Sequence, residues 1–151
     1  MDEIRFIPLK MIPGEKGSVS HIMKSPDFFI KEVYMSTVNR NSVKGWKKHT
    51  KMTLNLAVIK GSVKFTFIKN AKTCQYTVGG KNYGRLVVAP GCWVCFEGLE
   101  EENMIVNCAD LEHDPDEIEL RSFEGYPKDI SSWCSDDVGL YEGINKKENK
   151  S

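Results

Sequence analysis

Glycine and proline punctuate this chain at short intervals, and the runs between them carry the alternation of strands rather than the period of a helix. Pro13-Gly14, Gly17, Gly45, Gly61, Gly79-Gly80, Gly84, Pro90-Gly91 and Gly98 mark the breaks. Val63, Phe65 and Phe67 alternate with Lys64 and Thr66, the period-two mark of a half-buried strand. Leu54, Leu56 and Val58 alternate in the same way with Thr53, Asn55 and Ala57. Phe28-Phe29-Ile30, Glu32-Val33-Tyr34, Arg85-Leu86-Val87-Val88 and Met104-Ile105-Val106 also read as strands. Lys69 to Lys72 and Gly79 to Asn82 read as hairpin turns.

No amphipathic helix of useful length precedes Asp114, where Asp114-Pro115-Asp116-Glu117 opens one short turn with Pro115 at its first helical position. Many short strands between turn signals predict an all-β fold, an antiparallel jelly roll in a single domain. We place that domain at residues 1–140 and expect 141–151, which is too polar to pack, to be a frayed tail. The 151 residues suffice for one core.

Charge removes several partners from consideration. With 21 basic residues against 21 acidic ones, the chain lacks the electrostatic footprint of a nucleic-acid or anionic-membrane binder. No run approaches the roughly 20 apolar residues of a membrane span, and Met1 to Phe6 shows no basic-then-apolar leader pattern. Five cysteines without framework spacing predict reduced thiols and a soluble, cytoplasmic protein. Cys92-Trp93-Val94-Cys95 reads as buried structural thiols rather than a metal or redox pair, because residues three apart on a strand point to opposite faces unless a turn intervenes.

The chemistry concentrates in Lys44-Gly45-Trp46-Lys47-Lys48-His49, just before the apolar strand from Met52 to Ile59. If this segment is extended, Lys47, His49 and Lys51 share one face and Lys48 points away. Two ammonium groups beside an imidazole suit a diphosphate or a developing enolate oxygen better than a metal cation. Histidine titrates near neutrality without tuning, whereas lysine starts near 10.4 and must be depressed by burial or by neighbouring positive charge. The same charge run is also what a solvated strand entry looks like, with His49 as a packing residue. Trp46 reads as a wall residue, and Tyr34 as either a phenolic proton donor or a packed strand tyrosine. Asn55 faces opposite to the leucines of its strand; were that face the barrel interior, a bound sugar would satisfy its amide.

Lys44 to His49, then Gly61-Ser62-Val63, then Ala89-Pro90-Gly91 before a further strand, resemble the cupin superfamily, and within it the dTDP-4-dehydrorhamnose 3,5-epimerase group. The likeness runs from about Glu15 to Glu119. Those enzymes carry an Arg-Gly-Leu-His turn, a Gly-Glu-Val hairpin and a later Pro-Pro-Gly-x-x-His. The resemblance implies that Lys44 and Lys16 stand where the family has phosphate-contacting arginines, and that His21 stands for a glutamate of the early turn. Lys47 takes the place of the family's catalytic histidine, and Val94 that of its later histidine. Glu32 and Tyr34 occupy positions that contact the ligand. The related sugar 3,4-ketoisomerases use a His-x-His pair, of which this chain keeps the second member, His49.

The resemblance therefore implies a sugar-nucleotide epimerase or ketoisomerase acting by proton transfer beside a 4-keto group, in surface polysaccharide synthesis. In that reading His49 transfers the proton, Lys47 stabilises the enolate or holds phosphate, and Tyr34 is the candidate acid. Lys44, Lys16, His21, Glu32, Lys51, Asn55, Trp46 and Val94 line the substrate site. No metal or organic cofactor is expected, the partner is a small sugar nucleotide, and a homodimer follows by analogy. A non-catalytic cupin that binds a sugar nucleotide or another anion is the alternative. A metal-dependent cupin would need His21 and His49 to meet across the barrel with Glu32.

Overall fold

The structure, a computed structural model, describes residues 2–24 and 29–121. The expected tail at 141–151 lies outside them, as does Phe28. Twelve strands follow in order: β1 (Ile4–Pro8), β2 (Met11–Ile12), β3 (Val19–Ser20), β4 (Glu32–Asn39), β5 (Val43–His49) and β6 (Leu54–Lys60). Then come β7 (Ser62–Lys69), β8 (Lys72–Gly79), β9 (Gly84–Val88), β10 (Trp93–Gly98), β11 (Glu102–Ala109) and β12 (Ile118–Leu120). One 3-10 turn, Pro115–Glu117, precedes β12; Asp114 caps it by accepting from the Asp116 amide, and Pro115 starts it.

Two five-stranded antiparallel sheets face each other, ordered β1-β9-β6-β11-β4 and β12-β5-β10-β7-β8, with β2 and β3 as a separate hairpin. This is an antiparallel jelly roll. Each sheet turns one face inward, and there the alternating apolar residues meet. Leu54, Leu56 and Val58 from β6 pack with Phe65 and Phe67 from β7, Leu86 and Val88 from β9, and Val94 from β10. Phe65 lies 6.2 Å from Phe67 and 5.7 Å from Phe96, centroid to centroid. That spacing is typical of aromatic pairs that pack beyond simple area burial.

Two expectations need correction. Phe29 and Ile30 belong to no strand: Phe29 is 76% exposed, and pairing with β11 begins only where the Lys31 amide reaches the Ala109 carbonyl at 2.8 Å. Strict alternation along β5 also fails. Lys47 pairs with Val94 and Gly45 with Cys95, so Trp46 is the extra residue of a β-bulge. Because Lys44 then pairs with inward-packed Phe96, the bulge brings Lys44 and Lys47 to the same face. Gly45 permits this close approach: at φ 139°, a Cβ there would sit 2.8 Å from the Cys95 Cα.

Asn103, 1% exposed, ties the far end of the barrel together. Its Oδ1 accepts from the Ser62 amide at 2.9 Å and the Glu100 amide at 3.2 Å. Its Nδ2 donates to the Val38 carbonyl at 2.9 Å and the Glu100 carbonyl at 2.7 Å. Truncation strands several buried backbone groups at once. Asn103→Ala should therefore cost about 3 kcal/mol in denaturant unfolding; a loss within about 0.5 kcal/mol would show that water replaces these bonds.

Candidate active site

The end of the barrel opposite Asn103 holds most of the polar interior. His49, the last residue of β5, is 6% exposed, and its Nδ1 lies 2.6 Å from Glu117 Oε2. Glu117 comes from the 3-10 turn, 68 residues away, and is itself 2% exposed. Its other oxygen, Oε1, accepts the amides of Lys51 at 3.0 Å and Met52 at 2.9 Å. The Glu117 carbonyl takes both the amide and the hydroxyl of Thr50, each at 2.8 Å. One residue thus holds the whole turn from β5 to β6.

These contacts fix charges and tautomer together. Burial alone would raise Glu117, but the Met52 and Lys51 amides and the His49 ring more than offset it, so the carboxyl sits below its ordinary value and is ionised at neutrality. Desolvation pulls His49 below its ordinary value despite the Glu117 carboxylate. A neutral imidazole beside an ionised carboxylate must place its proton on Nδ1, leaving the Nε2 lone pair as a base.

Lys47 lies two residues before His49 on the same inward face and is half-buried. Burial, and then Lys44, lower its pKa, against an opposing pull from Glu117. Lys48 turns outward to Glu119 at 2.8 Å and stacks its ammonium 4.9 Å from the Trp93 ring. On the facing sheet, the Tyr34 hydroxyl accepts from Asn107 Nδ2 at 2.8 Å. Desolvation raises the Tyr34 pKa, and the charges of Glu32 and Glu117 add to the shift, so the phenol is protonated at neutrality.

The remaining candidates scatter. Val94 is buried in the hydrophobic core and pairs with Lys47 across the ladder, bringing no polar group there. Lys44 is exposed on the bulged strand, and Lys51 is exposed while its amide serves Glu117. Glu32 accepts the His113 amide at 2.7 Å. Trp46 is 2% exposed, with its backbone paired to Arg121. Asn55 is fully buried on the face opposite Leu54 and Leu56, bonded to Arg85 rather than turned toward the core. Lys16 and His21 flank β3 at the other end: the His21 carbonyl takes the Tyr83 hydroxyl at 2.7 Å, and Ser18 and Ser20 line a cleft with Gly61 and Gly80. His21 and His49 therefore do not meet within one chain. Among the described residues no group of three His, Cys, Asp or Glu side chains could hold a metal.

Two site residues escaped sequence reasoning. Glu117 was visible only as part of a capped turn, with nothing to pair it with His49. Asn107 sits in a strand whose sequence reveals neither its inward face nor its bond to Tyr34.

A cleft lined by Phe29, Ile30, Lys31, Lys51, Leu111, Glu112, His113, Asp114 and Glu117 opens beside the dyad. No curated protein matches the chain. Among solved structures, a dTDP sugar isomerase from Desulfovibrio desulfuricans G20 is 29% identical, with TM-score 0.74, over 85% of this chain and 86% of that one. A mutant of the 3,4-ketoisomerase QdtA from Thermoanaerobacterium thermosaccharolyticum, in complex with TDP-4-keto-6-deoxyglucose, is 18% identical with TM-score 0.70, over 95% and 97% of the two chains. The epimerase RmlC of Legionella pneumophila Philadelphia 1, in complex with dTDP-4-keto-L-rhamnose, is 12% identical with TM-score 0.73, over 82% and 74%. The model of the family described as "FdtA: WxcM-like, C-terminal" matches residues 2–128, and the chain belongs to that family.

Proposed function

We propose that this protein is an isomerase of a dTDP-4-keto-6-deoxyhexose, moving a proton between the two carbons of a ketone–alcohol pair. The observation that carries the reading is the His49–Glu117 dyad with Lys47 on the same inward face. The likeness to the Desulfovibrio isomerase and to QdtA supports the substrate class.

His49 Nε2 takes the proton from the carbinol carbon beside the ketone. The C–H electrons form the carbon–carbon double bond, and the carbonyl π electrons move onto the oxygen. Lys47 holds that oxyanion by charge. The imidazolium then returns its proton to the former carbonyl carbon, while the alcohol proton passes to the oxyanion. The ketone has moved by one carbon, with no net gain or loss of protons. A single base on one wall suits this shuttle better than inversion, which needs a second proton source on the opposite face of the sugar. Val94, standing where relatives of the epimerase type place a histidine, supplies none.

Lys44, brought to the same face by the bulge, would bind the diphosphate at the mouth. The exposed Val33 (58%) and Met35 (54%) on edge strand β4 support a homodimer. We place the enzyme in the cytoplasm, supplying deoxysugars for surface polysaccharide synthesis.

Incubation with dTDP-4-keto-6-deoxyglucose in heavy water should give a 3-keto product by NMR, with deuterium entering C3 of the substrate and C4 of the product to the extent that the imidazolium exchanges its proton with solvent before returning it. His49→Ala should slow that conversion by about 10³-fold. Tight binding with neither exchange nor 3-keto product would make the protein a sugar-nucleotide binder instead. Because neutral His49 is the base and its pKa is lowered by burial, the rate should rise with pH through a value below 6.5 and level off by neutrality. Glu117→Gln removes the group that pulls the His49 pKa upward, so its acid limb should move lower while the plateau falls about 10²–10³-fold. An acid limb that moves upward would contradict the dyad.

A further inference from the structure

The direction of every hydrogen bond around Tyr34 can be read from backbone chemistry alone. Strands β6 and β11 pair from Lys60 and Met104 down to Leu56 and Asn107, and there the ladder stops. The next amide, that of Asn55, instead donates to Asn107 Oδ1 at 2.9 Å. A backbone N–H is only a donor, so the side-chain atom facing it must be oxygen and the amide cannot be flipped. The Asn107 nitrogen is thereby forced toward Tyr34, where it donates to the hydroxyl at 2.8 Å. Asn107 is 3% exposed, so water does not blur this arrangement.

The consequence falls on the phenolic proton. With a hydroxyl lone pair occupied by Asn107, the O–H must find an acceptor elsewhere. Among the described residues it meets only Met52 Sδ at 3.9 Å, a weak thioether acceptor that Asn107 Nδ2 also approaches, at 3.8 Å. Tyr34 is half-buried on the inward face of β4, packed at the edge of the core cluster. A strong donor in such a place is held ready for an oxygen that the protein does not itself supply.

We propose that Asn107 is a positioning residue that locks the Tyr34 hydroxyl as a hydrogen-bond donor to the ketone oxygen of the bound sugar. This rests on the isomerase reading above and adds a second element to it. Lys47 would answer the enolate charge from β5, and Tyr34 would answer it by a directed hydrogen bond from the facing sheet. No proton leaves Tyr34 in this role. The charged groups felt at Tyr34 are Glu32 on its own strand and Glu117 from the 3-10 turn, and both keep the phenol protonated.

Asn107→Asp tests the polarity directly. A carboxylate still accepts the Asn55 amide but also accepts from Tyr34, so the phenolic proton turns inward. Formation of the 3-keto product, and deuterium exchange at C3 with it, should then fall about 10²-fold, as in Tyr34→Phe. The two losses should not multiply in the double variant, because both remove the same donor. Ultraviolet difference titration of the ligand-free protein, referenced to Tyr34→Phe, should show the Tyr34 phenol ionising at higher pH in both Asn107→Asp and Asn107→Ala. Asn107→Ala covers the case in which a buried new carboxylate prevents folding, and it too should slow exchange without multiplying the Tyr34→Phe loss.

Multiplicative losses, or wild-type exchange in a folded Asn107 variant whose phenol titration has moved, would overturn the proposal; so would an unmoved titration. Absence of both exchange and 3-keto product in the unaltered protein would instead remove the isomerase reading, and the donor role with it. The titration would still decide separately whether Asn107 governs Tyr34.

Discussion

A single buried carboxylate holds this site together. Glu117 accepts the His49 ring nitrogen on one oxygen and two consecutive amides of the β5–β6 turn on the other, while its carbonyl takes Thr50 twice. A charge that is 2% exposed is tolerable only when its lone pairs are filled in this way. Removing it would free the turn, unpin β12 from β5 and release the imidazole tautomer together. Fold and chemistry thus share one group, and substitutions at Glu117 are expected to disturb both.

The rest of the site follows from how a jelly roll fills its interior. The aromatic pack of Phe65, Phe67 and Phe96 occupies the middle of the barrel, leaving one end for polar groups. Into that end β5 brings Lys47 and His49, and the facing sheet brings Tyr34 and Asn107. Desolvation is the leading influence on the ionisation of His49, Lys47 and Tyr34 alike. It favours a neutral imidazole and a protonated phenol, the states that the proposed base and the proposed hydrogen-bond donor require. The low-dielectric wall that stabilises the fold also tunes the reactive groups.

Much of this was legible in the chain and some was not, for definable reasons. The alternation of Val63, Phe65 and Phe67 identified β7 because one side of that strand is buried. The opposite orientations of Lys48 and His49 followed from the same periodicity. The bulge at Trp46 broke that periodicity, and nothing in the residue order marks where an extra residue enters a ladder. Asn55 was placed correctly opposite its leucines, but which face was the interior could not be told from β6 alone. Phe29 and Ile30 have the composition of a strand yet find no partner strand. Glu117 and Asn107 were missed because their roles arise from contacts 68 and 73 residues distant along the chain. Motif reading of adjacent residues does not see such contacts.

The central claim is that Glu117 holds His49 as a neutral imidazole protonated on Nδ1, with Nε2 free to act as base. Long-range proton–nitrogen correlation spectra of the ¹⁵N-labelled protein at neutral pH report that tautomer directly. The account predicts an Nδ1-protonated, Nε2-unprotonated ring for His49, and loss of that signature in Glu117→Gln. A ring protonated on Nε2 alone, or an imidazolium at neutral pH, would contradict it.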